Sequence, residues 1–213
     1  MKKKMYQNVV AAHIREHSSI YLFVVVLFLM GVIFGAVVVN SLTFSQKEDL
    51  AYYLSQFFGQ VSNGKIASAS DVFSQSFFDN SKFIGMMGIL GISIVGLPII
   101  LIVLFMKGLV IGFTVGFLVN QMGWNGFLLS FVSVLPQNFI IIPVFIITAT
   151  VAVSISLKMF RRQFMKKNSE PILPLLGRYA LIFVVAGVFL AVAALFEAYI
   201  SPSLMKTIID IVY

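Results

Sequence analysis

The sequence predicts an all-α fold, a polytopic membrane helical bundle. Three observations lead there. Hydrophobic residues make up 60% of the 213 and charged residues 11%, against about 45–50% and roughly 25% in an ordinary soluble domain. Uncharged apolar runs recur along the chain at the roughly 20 residues that a hydrocarbon core of about 30 Å requires of a helix. The 22 phenylalanines carry more apolar surface than one small globule can hide, so lipid must be the solvent for much of it.

The first span is residues 20–39. The polar stretch before it, 1–19, is long for a secretory leader, and no small-x-small cleavage site follows the run, so it reads as an uncleaved span. Further runs cover 83–106, with Pro98 as a kink, then 139–157 and 179–200. Lys and Arg collect on the cytoplasmic side of spans. With the N-terminus inside, Lys2, Lys3, Lys4, Arg15 and Lys107 fall inside, as does the basic segment 158–178. Lys47, Lys65, Lys82 and Lys206 fall outside. Residues 108–138 must then make one net crossing. They do so either as one interrupted span or as 108–119 crossing and 127–135 dipping back from the outer face. Residues 108–119 would rise only about 18 Å as a helix. Backbone that leaves the helix at membrane depth needs protein or water around it. The expected total is five spans with a cytoplasmic N-terminus and an extracytoplasmic C-terminus.

The loop 40–82 is the largest extramembrane piece. Ser45-Gln46-Lys47-Glu48 fits a capping box. Leu50, Leu54, Phe57, Phe58 and Val61 follow at helical spacing, up to a stop at Asn63-Gly64. Ser68-Ala69-Ser70-Asp71 starts a second amphipathic helix with Phe73, Phe77 and Phe78 on its apolar side. Leu50, Leu54, Phe57, Phe58, Phe73 and Phe77 are the candidate partner-binding residues. The alternative is that these helices lie on the lipid or cap the bundle. The tail 201–213 places Leu204, Ile208, Ile211 and Val212 on one face, suited to the outer interface.

Gly108, Gly112 and Gly116 share one helix face, and Gly31 and Gly35 form a second GxxxG. Small faces let helix backbones approach closely in lipid, either within the chain or across a dimer seam. Asn120, Gln121, Gln137, Asn138 and Glu197 are the polar residues near the outer end of the spans. A carboxylate there is costly unless it meets water or a partner. The five are expected either to form a buried polar cluster or to sit at headgroup level.

His13-Ile14-Arg15-Glu16-His17 matches H-x-x-E-H, an inverted zinc-protease string. A catalytic zinc usually takes a third protein ligand, and Glu170 is the one other carboxylate on that side. A short amphipathic helix at the interface accounts for the string better. With no cysteine, disulfides, thiol nucleophiles and cysteine zinc sites are excluded. The net charge of +7 is concentrated in 158–178 beside spans, which suits anionic lipid rather than nucleic acid. Neither an enzyme nor a cofactor is expected.

The stretch HIREHSSIYLFVVVLFLMGVIFGAVVVNSLTFSQKEDLAYYLSQFFGQVSNGK resembles the stage II sporulation protein M family of endospore formers. GLPIILIVLFMKGLVIGFTVGFLVNQMG, SFVSVLPQN and FEAYISP continue the likeness along nearly the whole chain. In the wider family the LPQN segment reads more like LPHG followed by Glu, so Gln137 and Asn138 stand at the His and Gly. The resemblance implies a role in engulfment at the sporulation septum. There the family is similar to a membrane scaffold for two peptidoglycan-degrading partners, stage II sporulation proteins D and P. The wider family also resembles permease-like membrane subunits of ATP-driven exporters, which implies a homodimer and supplies the alternative function.

Overall fold

The computed structural model describes residues 17–62, 68–93, 95–165 and 172–205. Six helices follow in order: α1 Ser18–Ser41, α2 Phe44–Ser62, α3 Ala69–Gly91, α4 Gly96–Ser133, α5 Leu135–Met165 and α6 Ile172–Tyr199. Helical structure resumes over 201–205. Among the described residues, four stretches are long and apolar enough to cross a membrane: Ser18–Ser41, Gly96–Ser133, Leu135–Arg161 and Leu176–Met205. The more polar α3 is not one of them. The all-helical class is as expected.

Helix α1 buries a single stripe, Val24, Phe28, Gly31, Gly35 and Val39. Leu22, Met30, Ile33 and Phe34 on its other sides are exposed. A helix apolar all round that buries one stripe leaves the rest for lipid. The stripe lies along α4, the most extensive helix pairing in the bundle. Gly108 abuts Phe28, Gly112 abuts Val32 and Gly116 abuts Ala36, while Gly31 and Gly35 meet Phe105 and Leu109. The paired numbers rise together, so α1 and α4 are parallel. A Cβ at Gly31, Gly35, Gly108 or Gly112 would strike a backbone carbonyl. Both glycine motifs are therefore consumed in one pairing within the chain. The Gly108-Gly112-Gly116 face is covered by α1 and is not open to serve as a dimer seam.

The expected single span over 83–106 is instead two helices. Helix α3 stops at Gly91 and α4 starts at Gly96. Between them Ser93 N–H donates to Leu90 O at 2.9 Å and Gly96 N–H to Ser93 O at 3.2 Å. Gly96 passes so close to the Leu90 backbone that a Cβ would not fit. Pro98 stands in the first turn of α4, where a missing N–H breaks no helical bond. It starts a helix rather than kinking one. Lys107, expected inside next to a span end, consequently lies in the interior of α4.

A second departure sits within α4. Gly123 has φ 57° and ψ −127°, the mirror image of extended backbone, which glycine alone enters freely. The chain reverses there. Gly126 packs directly on the Leu118 backbone, whereas eight residues of straight helix would separate them by about 12 Å. Residues 96–122 form a long arm and 124–133 a short arm folded back on it. After Val134, α5 begins.

Helices α3 and α6 are antiparallel: Ser76 meets Glu197 and Gly88 meets Phe183. Helices α5 and α6 are antiparallel too, with Gln137 near Ser201 and Val151 and Ile155 near Tyr179. Residues 148–156 of α5 are buried on every side, so this helix is the centre of the bundle. The main core gathers Phe28, Met87, Ile100, Leu104, Phe145 and Leu190 around it. One end of the bundle carries Ser18, the turn after Gly91, Ser156 and Tyr179, with Ser156 Oγ donating to Ser93 O at 2.9 Å. Lys158, Arg161 and Arg178 lie at this end. The opposite end carries Ser41, Ser68, Gly123, Leu135 and Ser201.

Helix α2 starts two residues earlier than Ser45-Gln46-Lys47-Glu48 predicts. Thr43 is the cap: Thr43 N–H donates to Gln46 Oε1 at 2.9 Å, and Gln46 N–H donates to Thr43 Oγ1 at 3.4 Å. This reciprocal pair is a capping box with Gln in the third helical position. Ser68 caps α3 as expected, its Oγ accepting from Asp71 N–H at 3.2 Å.

Candidate functional site

The polar residues that the fold brings together centre on Lys107. Its depth follows from the α1–α4 pairing. Gly108 abuts Phe28, and Phe28 lies near the middle of the uncharged Ser18–Ser41 helix. An ionisable group at that depth is rare and normally faces protein or a water-filled cavity. Lys107 Nζ donates to Asn80 Oδ1 at 2.8 Å. It also lies 5.6 Å from the centroid of the Phe83 ring and 5.2 Å from that of Phe145, within the range of cation–π attraction. Asn80 Nδ2 donates to Ser76 O at 2.9 Å. Ser76 Oγ donates to a carboxylate oxygen of Glu197. The chain Lys107–Asn80–Ser76–Glu197 thus joins α4, α3 and α6.

Helical spacing explains why α3 serves this role. Ser76, Asn80, Ile84, Met87 and Gly91 form its buried stripe. The half near Ser68 turns polar groups inward, and the half near Gly91 turns apolar ones. Below Lys107 the core is sealed by Ile84, Met87, Ile100 and Leu104. The polar chain therefore leads only toward the end that holds Ser41, Ser68 and Ser201. It can hold a positive charge at mid-depth with a compensating carboxylate about one turn of α3 away, and it can lock α3 against its neighbours.

Of the five residues expected to cluster, the structure places Glu197 in this chain, against Ser76. Gln137 and Asn138 are buried near the start of α5. Their side-chain amides donate to Ser133 O at 2.6 Å and Val134 O at 2.7 Å. Ser201 Oγ donates to Gln137 Oε1 at 3.4 Å. These bonds supply carbonyl partners where the helix ladder breaks between α4 and α5. Asn120 and Gln121 are exposed at the Gly123 reversal. The five do not form one cluster.

Ser76, Asn80 and Lys107 were not singled out from the sequence. Two signals were there to find: the i, i+4 spacing of Ser76 and Asn80 with Ile84, and the apolar sequence that continues on both sides of Lys107 in ILIVLFMKGLVIGF, with no Pro, Asn, Asp or Ser to end a helix there.

The expected docking face divides. Leu54 and the buried Phe58 pack on Leu118, Leu129, Met122 and Met205, so they hold α2 to the end of the bundle. Leu50 is half-buried, and Phe57, Tyr52 and Tyr53 are exposed. Phe73 stacks on Phe77, 6.0 Å between centroids, and both are half-buried. In the H-x-x-E-H string, His13 and Glu16 lie outside the described residues and His17 stands at the N-cap of α1. Glu170 and the tail residues Ile208, Ile211 and Val212 also lie outside them.

Four spanning-length apolar helices and a buried polar chain between them define an all-helical integral membrane protein. The profile of the stage II sporulation protein M family matches residues 24–202. The chain belongs to that family and is a sporulation-related membrane protein. No curated protein and no solved structure matches it.

Proposed function

We propose that this protein is a membrane scaffold that anchors peptidoglycan-degrading proteins at the sporulation septum during engulfment. In this reading α1, α3, the arm 96–122, α5 and α6 make five crossings. The arm 124–133 is re-entrant. The Lys158–Arg178 end faces the cytoplasm, and α2 faces the cell wall. The support for the orientation is the positive charge at that end. The single observation that supports the scaffold role is the division of α2. Leu54 and Phe58 fix it to the bundle, and Tyr52, Tyr53 and Phe57 are left facing away. Exposed aromatic residues on a helix attached to the bundle are the kind that anchor protein interfaces. Stage II sporulation proteins D and P are the partners the family suggests.

The test is a triple variant, Tyr52→Glu, Tyr53→Glu and Phe57→Glu, in sporulating cells. Partner proteins should lose their septal localisation while the variant stays in the membrane at normal level. Normal localisation of the partners would refute the role. Single cysteines at Asn63, Trp124, Ser169 and Ser203, labelled from either side, test the orientation.

One observation favours a second reading, a permease-like subunit of an ATP-driven complex. Intramembrane Lys107 with its route to Glu197 resembles the ionisable chains that line transport paths. Co-purification of an ATPase whose turnover drops in Lys107→Met would favour this reading over the scaffold.

A further inference from the structure

Between α5 and α6 the bundle is open to its surroundings. A groove of about 280 Å³ runs there, lined among others by Val144, Ile147 and Thr148 of α5 and by Leu181, Val185 and Phe189 of α6. Ile147, Leu181, Val185 and Phe189 are exposed along it, so it opens sideways, toward lipid. Thr148 Oγ1 donates to Val144 O at 2.7 Å. The hydroxyl in the lining is thus bonded within its own helix, and the groove is apolar throughout.

The groove has a definite depth and a charged end. Phe189 stands beside Leu190, which joins Phe145 in the main core, and Lys107 Nζ lies over the Phe145 ring at mid-depth. Arg178 is exposed on α6, in line with Leu181, Val185 and Phe189. Their spacing of i, i+3, i+7 and i+11 puts all four on one helix face. From Arg178 to Phe189 the helix rises about 16 Å, close to half of a hydrocarbon core of about 30 Å. On α5, Val151 and Ile155 pack on Tyr179, and Lys158, one turn further, is exposed. Arg178 and Lys158 therefore flank the place where the two helices of the groove reach the membrane surface. The described carboxylates, Glu48, Asp49, Asp71, Asp79 and Glu197, all lie at mid-depth or toward the opposite end.

We propose that this groove binds one anionic phospholipid of the leaflet at the Lys158–Arg178 end, with an acyl chain in the groove and the phosphate at Arg178 and Lys158. Shape selects the chain. The space is too small for a helix about 10 Å across, and its lining offers apolar contact along its length. Charge selects the headgroup. Basic pockets between spanning helices bind anionic headgroups, and a guanidinium meets a phosphate with two parallel hydrogen bonds. Length ties the two together, because a chain whose phosphate sits at Arg178 reaches the middle of the bilayer at Phe189. This differs from a general attraction of the basic segment 158–178 to a charged surface, since one lipid is held in one place. The bound chain covers the flank of α5 that α6 leaves open. The proposal depends neither on the scaffold role nor on which side of the membrane α2 faces.

The test is the thermal unfolding midpoint of the purified full chain in detergent, titrated with phosphatidylglycerol or with phosphatidylcholine. Phosphatidylglycerol should raise the midpoint and half-saturate at a concentration at least about tenfold lower, the effect of two basic side chains on an anionic lipid. Arg178→Gln with Lys158→Gln should abolish that preference. Val185→Trp, which fills the groove from its exposed rim, should weaken the response to both lipids. All three positions are exposed, so the midpoints without lipid should stay as they are. Native mass spectrometry reads the same loss independently of any change in midpoint, with one phosphatidylglycerol retained on the parent chain and none on either variant. Equal responses to the two lipids, or an unaltered response in either variant, would overturn the site. So would equal stabilisation by water-soluble glycerophosphate, which has a phosphate and no chain. A Val185→Cys thiol that oxidises in native membranes onto a second copy or another protein would also overturn it, since protein would then fill the groove.

Discussion

Lys107 Nζ lies 2.8 Å from Asn80 Oδ1, and this bond pins α3 to α4 at the mid-depth of the bundle. It also makes the two side chains interdependent. Removing one partner of a buried hydrogen bond costs about 1–3 kcal/mol, and more where the group left unsatisfied is charged, as the Lys107 ammonium would be. Replacing both by apolar groups of similar shape can be nearly neutral. Asn80→Leu alone should therefore lower the thermal unfolding midpoint in detergent markedly, and Lys107→Met with Asn80→Leu should recover most of the loss. Additive losses in the double variant would show that the two residues act separately.

The glycine seam between α1 and α4 makes a sharp contrast with Gly85, on the exposed side of α3. Gly112→Ala drives a Cβ into the Val32 carbonyl. Overpacking of this kind costs about 1–3 kcal/mol, and more where backbone rather than side chain must yield. Gly85→Ala meets nothing within 4 Å and should gain about 0.5–1 kcal/mol of helix propensity. Thermal unfolding of the two variants side by side reads the difference, and equal midpoints would contradict the close approach of α1 to α4.

Gly123 is the hinge of the chain reversal. Its φ of 57° with ψ −127° is a conformation that costs an L-residue about 1–3 kcal/mol. Gly123→Ala should loosen the packing of Leu129 on Leu118 and Phe58. The expected readout is faster proteolysis or hydrogen exchange over 119–133, with α1 unaffected. Unchanged exchange there would mean the reversal needs no glycine.

The capping box of α2 separates two sequence alignments of the same helix. Thr43→Ala should fray residues 44–48, at about 1 kcal/mol for a lost cap. Ser45→Ala should leave them protected. Hydrogen exchange on that peptide decides, and the opposite ranking would place the cap at Ser45 after all.

Several elements were legible before any coordinates. The span at 20–39, the amphipathic helix beyond it, the Ser68 cap and the interrupted region after Gly108 all follow from composition, spacing and turn chemistry, whereas the helix begun at Ser68 runs on to Gly91 instead of ending within an extramembrane loop. The second span was misplaced, because 83–106 is continuously apolar and hydropathy takes no notice of a tight turn in an apolar run. Lys107 looks like a boundary in the sequence for a related reason: a lone charge between two apolar runs looks the same whether it ends a helix or lies buried within one. The five polar residues of the expected cluster lie near one another in depth, but depth does not specify azimuth. Asn120 and Gln121 accordingly ended up outside while Ser76 and Asn80 turned inward.

Local chemistry by itself determined that this chain is helical, that it belongs in lipid, and where several of its helices begin. Such properties depend on neighbours a few residues apart, which a linear string records. Only the tertiary structure decided that Gly31, Gly35, Gly108 and Gly112 satisfy one another, that Lys107 has Asn80 for company, and that α5 and α6 leave a groove in line with Arg178. Those outcomes depend on which helix faces come together across long sequence separations, and hydropathy, being blind to direction around a helix, carries no record of that choice.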